Sequence, residues 1–164
     1  MDGHGVGNPG QAIDAPPIVA ALDAAAAAPG DAVVIATATN DSVAVAARAA
    51  EVGVDVALDE YRTRLADTVD RFGDRCVVVV SAREDLSPFY SPWMVPLVDA
   101  ALAEVTAAAG GVVVDWNAAS EAHPEWFGPD QLHFEGSADP AVGAAAYAEA
   151  IAAGVTSCAG SPAR

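Results

Sequence analysis

Asp31-Ala32-Val33-Val34-Ile35-Ala36-Thr37-Ala38 is a run of strand length, rich in β-branched residues and introduced by the turn signal Pro29-Gly30. Its apolar character is continuous rather than alternating, so both faces must be covered, as in a parallel sheet between helices. Two runs of the same kind follow. Arg75-Cys76-Val77-Val78-Val79-Val80-Ser81 comes after Gly73-Asp74, and Gly111-Val112-Val113-Val114-Asp115-Trp116 after Gly110. Segments with helical periodicity separate them. Pro16-Pro17 opens an Ala-rich stretch with Ile18, Leu22 and Ala25 on one stripe, and Leu58, Tyr61, Leu65 and Val69 make a second. A third, from Trp93 to Ala109, carries Leu97, Ala101, Leu102 and Val105; a fourth, from Pro140 to Ala153, carries Val142, Ala146, Tyr147 and Ile151. Strands alternating with helices predict layered α/β architecture.

Composition narrows the function classes. A chain of 164 residues, 53% hydrophobic and 18% charged, buries a core of domain size. Twenty-three acidic residues stand against seven basic ones, all Arg, for a formal charge of −16. That field repels phosphate, which excludes nucleic acid and anionic membrane surfaces as partners. Asp, Gly or Pro interrupts the apolar stretches short of the ~20 residues of a membrane helix, so the expectation is a soluble domain without membrane insertion. Met1-Asp2-Gly3-His4 has neither the basic nor the apolar region of a secretory signal. Residues 1–155 read as one domain, and Thr156 to Arg164, rich in Ser, Gly and Pro, as a frayed tail. No internal repeat is visible.

Two polar insertions, Arg83 to Pro92 and Asn117 to Asp139, follow C-terminal strand ends, where open α/β sheets bind ligands. The second contains His123-Pro124-Glu125-Trp126-Phe127 and then Asp130-Gln131-Leu132-His133. An Asp three residues before a His, between the last strand and the last helix, is placed to orient the imidazole while its other nitrogen faces a nucleophile. The bland alternative is a capped turn carrying a half-buried His.

These pieces, with Asp115-Trp116 ending a strand and Gly143 and Ala146-Tyr147-Ala148 on the next helix, resemble the C-terminal half of the SGNH (GDSL-type) serine hydrolases. The likeness is greatest to the esterase-like domains attached to membrane acyltransferases. It implies a three-layer flavodoxin-like fold, an acyl-ester substrate, no cofactor or metal, and association with a membrane acyltransferase. His133 takes the role of general base and Asp130 that of its orienting partner. Ala38-Thr39-Asn40-Asp41 looks like the family's Gly-x-Asn-Asp block, with Ala38 in place of Gly, so Asn40 becomes an oxyanion-hole donor, a role worth ~3 kcal/mol where such donors have been removed. Read on its own, Asn-Asp after a strand is ordinary turn or N-cap chemistry.

The family's Gly-Asp-Ser block occurs nowhere in the chain, and Gly73-Asp74-Arg75 precedes a strand instead of following one. Met1 to Gly10 looks instead like the family's second strand and glycine block, which makes Gly7, or Gly10 in second place, a backbone oxyanion donor. The first strand and its serine would then lie upstream, leaving the second strand without its neighbour in the order 2-1-3-4-5. The chain is then either the later part of an ester hydrolase or acyl-transfer-associated domain, or a non-catalytic remnant that serves as a binding or interaction module. Ser42, Ser81, Ser87 and Ser91 lie near strand ends, none in a nucleophile motif; Ser42, beside Asn40, is placed best.

Two rival chemistries are weaker. Gly5-Val6-Gly7-Asn8-Pro9-Gly10 fits the dinucleotide fingerprint, but Pro9 stiffens the turn and the acidic residue expected ~20 positions on is missing. His123, Asp130, His133 and Asp139 offer metal-ligand types without a standard zinc spacing. Trp93, Trp116, Trp126, Phe89 and Tyr90 read as core or loop anchors, with Trp126 or Tyr90 available to wall an acyl pocket. The final helix should run antiparallel to the strands, which brings Cys158 to the sheet edge where Cys76 begins its strand. A disulfide between them is then feasible and, with the resemblance, favours an extracytoplasmic setting.

Overall fold

Alternate residues of the Val-rich runs project to opposite sides of one parallel sheet, and each side is apolar for its own reason. The computed structural model describes residues 3–6 and 12–159. The strands are β1 (Gly3–Val6), β2 (Ala32–Ile35), β3 (Cys76–Val80) and β4 (Val112–Val114), in the order β1-β2-β3-β4. Gly3 pairs with Ala32, Ala32 with Cys76 and Val78 with Val112, all in parallel. Val33, Ile35, Val77 and Val79 face one layer of helices; Val78, Val80 and Val114 face the other.

Each crossover steps one strand in the same direction, so right-handed connections must put the crossover helices on one face. Those helices are α1 (Pro16–Ala27), α2 (Ala38–Val52), α3 (Val54–Asp70) and α4 (Val95–Ala108). Ile18, Leu22, Val45, Tyr61, Leu65, Val98 and Leu102 pack with the strands there, each nearly inaccessible to solvent. Burial of each such side chain contributes about 1.5–3 kcal/mol before entropy is counted. A short helix, α5 (Trp116–Ser120), follows β4, and α6 (Pro140–Ala159) covers the opposite face together with Trp116 of α5 and Phe127. The result is a three-layer α/β domain.

Gly154 and Gly143 let α6 lie close. A Cβ at Gly154 would meet the Val114 side chain at 2.5 Å and Val78 at 3.1 Å, and one at Gly143 would press on the Phe134 ring at 2.7 Å. A disulfide joins Cys76 to Cys158 across a Cα–Cα distance of 5.7 Å, tying the end of α6 to the start of β3, as the antiparallel placement of the last helix predicts.

Several expectations need correction. Strand β1 does not stand apart: among the described residues it pairs directly with β2, so a first strand seated between them, as in the order 2-1-3-4-5, would have to replace that pairing. Asn40 sits inside helix α2 rather than on a turn, because the Ala-rich stretch that follows continues the helix to Gly53, whose φ of +90° ends it. Thr156 to Ala159 belong to α6 instead of a frayed tail, with Cys158 anchored. Gly143 and Gly154 do not break the last helix, so Pro140–Cys158 is long and apolar enough to cross a membrane by length and composition, although it packs here on the sheet. Leu97 and Val142, assigned to buried stripes, are 39% and 47% exposed; Val98 and Gly143 are the buried neighbours.

Candidate active site

The C-terminal ends of β2, β3 and β4 open into one cavity of about 950 Å³. Its wall combines small residues of α2, such as Ala44 and Ala47, with the rings of Phe89, Tyr90, Trp116, Phe127 and Tyr147. Among its polar lining residues are Asn40, Ser81, Arg83 and His133. Two residues that the sequence singles out, from segments more than ninety positions apart, therefore share one space.

The Asp130–His133 pair is built by a tight turn. Gln131 adopts a left-handed backbone, φ +59°, an uncommon state for a residue with a side chain. This folds the chain so that the Leu132 and His133 backbone N–H groups both donate to Asp130 Oδ1 at 3.0 Å. The other carboxylate oxygen, Oδ2, lies 2.6 Å from His133 Nδ1 and accepts a longer bond, 3.3 Å, from the Tyr90 hydroxyl. Partial burial raises the Asp130 pKa, but the bonds from the His133 ring and the two backbone N–H groups outweigh it and hold it at about 2. Asp130 is thus ionised at neutral pH, which makes Nδ1 the protonated nitrogen and leaves Nε2 as the acceptor. Burial and the Asp130 charge both push the Tyr90 hydroxyl up, so it stays a donor.

Helix α2 is pinned beside this pair by Asp41. Its buried carboxylate accepts the Ile13 N–H at 2.6 Å and the Thr37 hydroxyl at 2.7 Å, with Tyr61 at 3.5 Å. Burial dominates and raises its pKa to about 6 despite those bonds. Asn40, next in sequence, lies in the first turn of α2, and among the described residues its side chain makes no hydrogen bond. The amide is therefore uncommitted at a helix N-terminus, whose partial positive charge adds to any anion-stabilising effect.

The serines fare differently. Ser42 is fully buried and donates to the Ala38 carbonyl at 2.9 Å, away from the cavity lining. Ser81 does line the cavity, but its oxygen accepts the Trp116 N–H at 2.9 Å and the Asn117 N–H at 3.3 Å. Both lone pairs are engaged, which makes it a cap for α5. The Ser87 N–H donates to the Asp130 carbonyl, and Ser91, at φ +53°, ends the single helical turn Pro88–Tyr90. Neither lines the cavity.

His123 does not line the cavity with His133: it stacks on Trp126, centroids 3.9 Å apart, and its Nδ1 meets Glu125 at 2.9 Å. Among the described residues no three His, Cys, Asp or Glu side chains converge as metal ligands do. Gly7, Gly10 and the dinucleotide-like run after Val6 lie outside the described residues. Of the predicted wall residues, Tyr90 lines the cavity and Trp126 backs it through stacking on Trp116.

Arg83 escaped the sequence reading. It is 2% exposed and lines the cavity, its guanidinium 4.2 Å from the centre of the Phe127 ring. The available signal was a basic residue just beyond the end of an unbroken apolar strand, after Ser81 and Ala82, in an acidic chain. No family model, curated protein or solved structure matches this chain.

Proposed function

We propose that the chain carries the acid–base half of an SGNH-type ester hydrolase or acyl-transfer-associated domain, with the nucleophilic serine supplied from outside these residues. His133 acts as general base through Nε2, Asp130 holds its ring and stabilises the imidazolium, and Asn40 donates to the developing oxyanion, with the Gly7 N–H as second donor. The observation that carries this reading is the 2.6 Å contact of His133 Nδ1 with an ionised Asp130 in a cavity that Asn40 also lines. A serine hydroxyl held there passes its proton to His133 as it attacks the acyl carbonyl; the acyl-enzyme is then resolved by water or by an acceptor hydroxyl. The apolar and aromatic wall suits an uncharged acyl group. The Cys76–Cys158 disulfide supports an oxidising, extracytoplasmic setting, where a membrane acyltransferase would be a neighbour.

A second reading, a binding or interaction module without catalysis, is favoured for the chain alone by the commitment of Ser42 and Ser81 to structural bonds. One experiment separates the two: reading the coding DNA in frame upstream of Met1. A strand-like run ending in Gly-Asp-Ser supports the enzyme; its absence supports the module. The chain alone should hydrolyse a short p-nitrophenyl ester no faster than buffer. Turnover that vanishes in His133→Ala would contradict this and point to a nucleophile within the chain.

A further inference from the structure

Arg83 is among the largest fully buried side chains of the described residues, and burying a guanidinium costs several kcal/mol unless its partners compensate. Its partners are unevenly spread. Nη1 donates to both the backbone oxygen of Gln131, at 3.3 Å, and its side-chain Oε1, at 3.0 Å. The face of the guanidinium lies over Phe127. Nη2 reaches Asp85 at 3.3 Å, but that carboxylate is 78% exposed and its attraction is screened. Nε has no partner. The buried attachments of Arg83 therefore all go to the segment Phe127–Gln131, whose last residue has the strained left-handed backbone that folds Leu132 and His133 back onto Asp130.

We propose that Arg83 is a positioning residue for the Asp130–His133 pair, acting through Gln131: its Nη1 holds both acceptor oxygens of that residue, with the guanidinium plane seated on Phe127, and keeps the turn in its left-handed state. Arg83 itself has no hydrogen bond to Asp130 or His133, so its effect passes through the backbone. This rests on the hydrolase reading for its purpose, but its geometry stands independently. Lys does not replace it, because an ammonium has no planar face to lie on the Phe127 ring while one nitrogen bonds Gln131 and a second reaches Asp85.

The test uses the full chain with its disulfide intact. In Arg83→Met and Arg83→Lys, the His133 ring N–H proton is followed by NMR and the Asp130 carboxyl by a carbon-detected titration. Both variants should lose the sharp low-field Nδ1–H signal, and proton binding by Asp130 should strengthen about tenfold, a one-unit change. Arg83→Lys keeps the charge, so full recovery in that variant would show that charge rather than the planar guanidinium matters, and would overturn the proposal. A folded Arg83→Met with both signals unchanged would overturn it too. Should Arg83→Met fail to fold, Gln131→Met removes the Oε1 acceptor from the partly buried side of the contact; an unchanged dyad there is equally fatal. These readouts report dyad geometry, so their failure leaves the ester-binding test of the hydrolase reading untouched, and failure of that test leaves the clamp standing.

Discussion

At the scale of single residues, the short contact between His133 Nδ1 and Asp130 Oδ2 gives the imidazole one orientation and one tautomer. Asp130→Asn removes the charge that fixes it. The expected outcome is disappearance of the low-field His133 ring N–H resonance at pH 7, with the rest of the amide spectrum near its original positions; a resonance that persists would mean that the pair is not coupled as described. The sequence made this pair legible because its partners are three positions apart, and a local turn decides their geometry. Arg83 was not legible, since nothing in a linear pattern says that a basic residue beyond one strand will reach a loop beyond the next. Ser42 misled for a related reason: proximity to Asn40 in sequence places it a helical step away, and its hydroxyl turns back onto the Ala38 carbonyl.

At the scale of elements, helix α6 owes its seat to two glycines. Gly154→Leu should lift it from Val78 and Val114 and cost about 1–3 kcal/mol, the usual penalty of overpacking. Ala153→Leu, one position away on the exposed side, should change stability by less than about 0.5 kcal/mol. Urea unfolding of the two variants checks this, and equal losses would contradict the packing. The three Val-rich strands were readable because a continuous apolar run bounded by Gly leaves few alternatives. Helix α2 was not, because its first turn, Ala38-Thr39-Asn40-Asp41, uses residues that serve equally well in turns; Asp41 settles the matter only through its long-range bond to Ile13. The stripe errors at Leu97 and Val142 are one-residue rotations, which periodicity alone does not fix when most neighbours are Ala or Val.

At the scale of the whole molecule, the disulfide closes a loop with an 82-residue sequence separation. On the loop-entropy model its removal by Cys76→Ala with Cys158→Ala should cost about 3–5 kcal/mol, measured as a lower urea midpoint; an unchanged midpoint would show that the link is energetically idle. Stability should also depend on pH. Burial raises Asp41 to about 6 and Asp99 to about 7, in the second case with Glu84 and Asp115 adding to burial and the Ala82 N–H opposing it. Both carboxyls hold their proton more tightly when folded, so their stabilisation is full below about pH 4 and is lost as pH rises through 6 to 7, on the order of 3 kcal/mol for Asp41. Asp130 works in the opposite sense, its contribution present above pH 4 and lost as pH falls toward 2. The urea midpoint should therefore be higher at pH 4.5 than at pH 8; the reverse order would contradict these assignments. The acid excess acts in the same direction, since self-repulsion grows as the carboxyls ionise. One cavity is lined by both the His133 ring and the Asn40 amide, and the proposed hydrolase function requires both to meet an acyl ester there. Titration of the isotope-labelled chain with a short neutral ester such as ethyl butyrate puts this to the test. Saturable, concerted shifts of the Asn40 side-chain amide and the His133 ring signals are expected, lost together in Tyr147→Trp, which fills the wall; shifts in neither group, or in residues outside the cavity alone, would refute the proposed function.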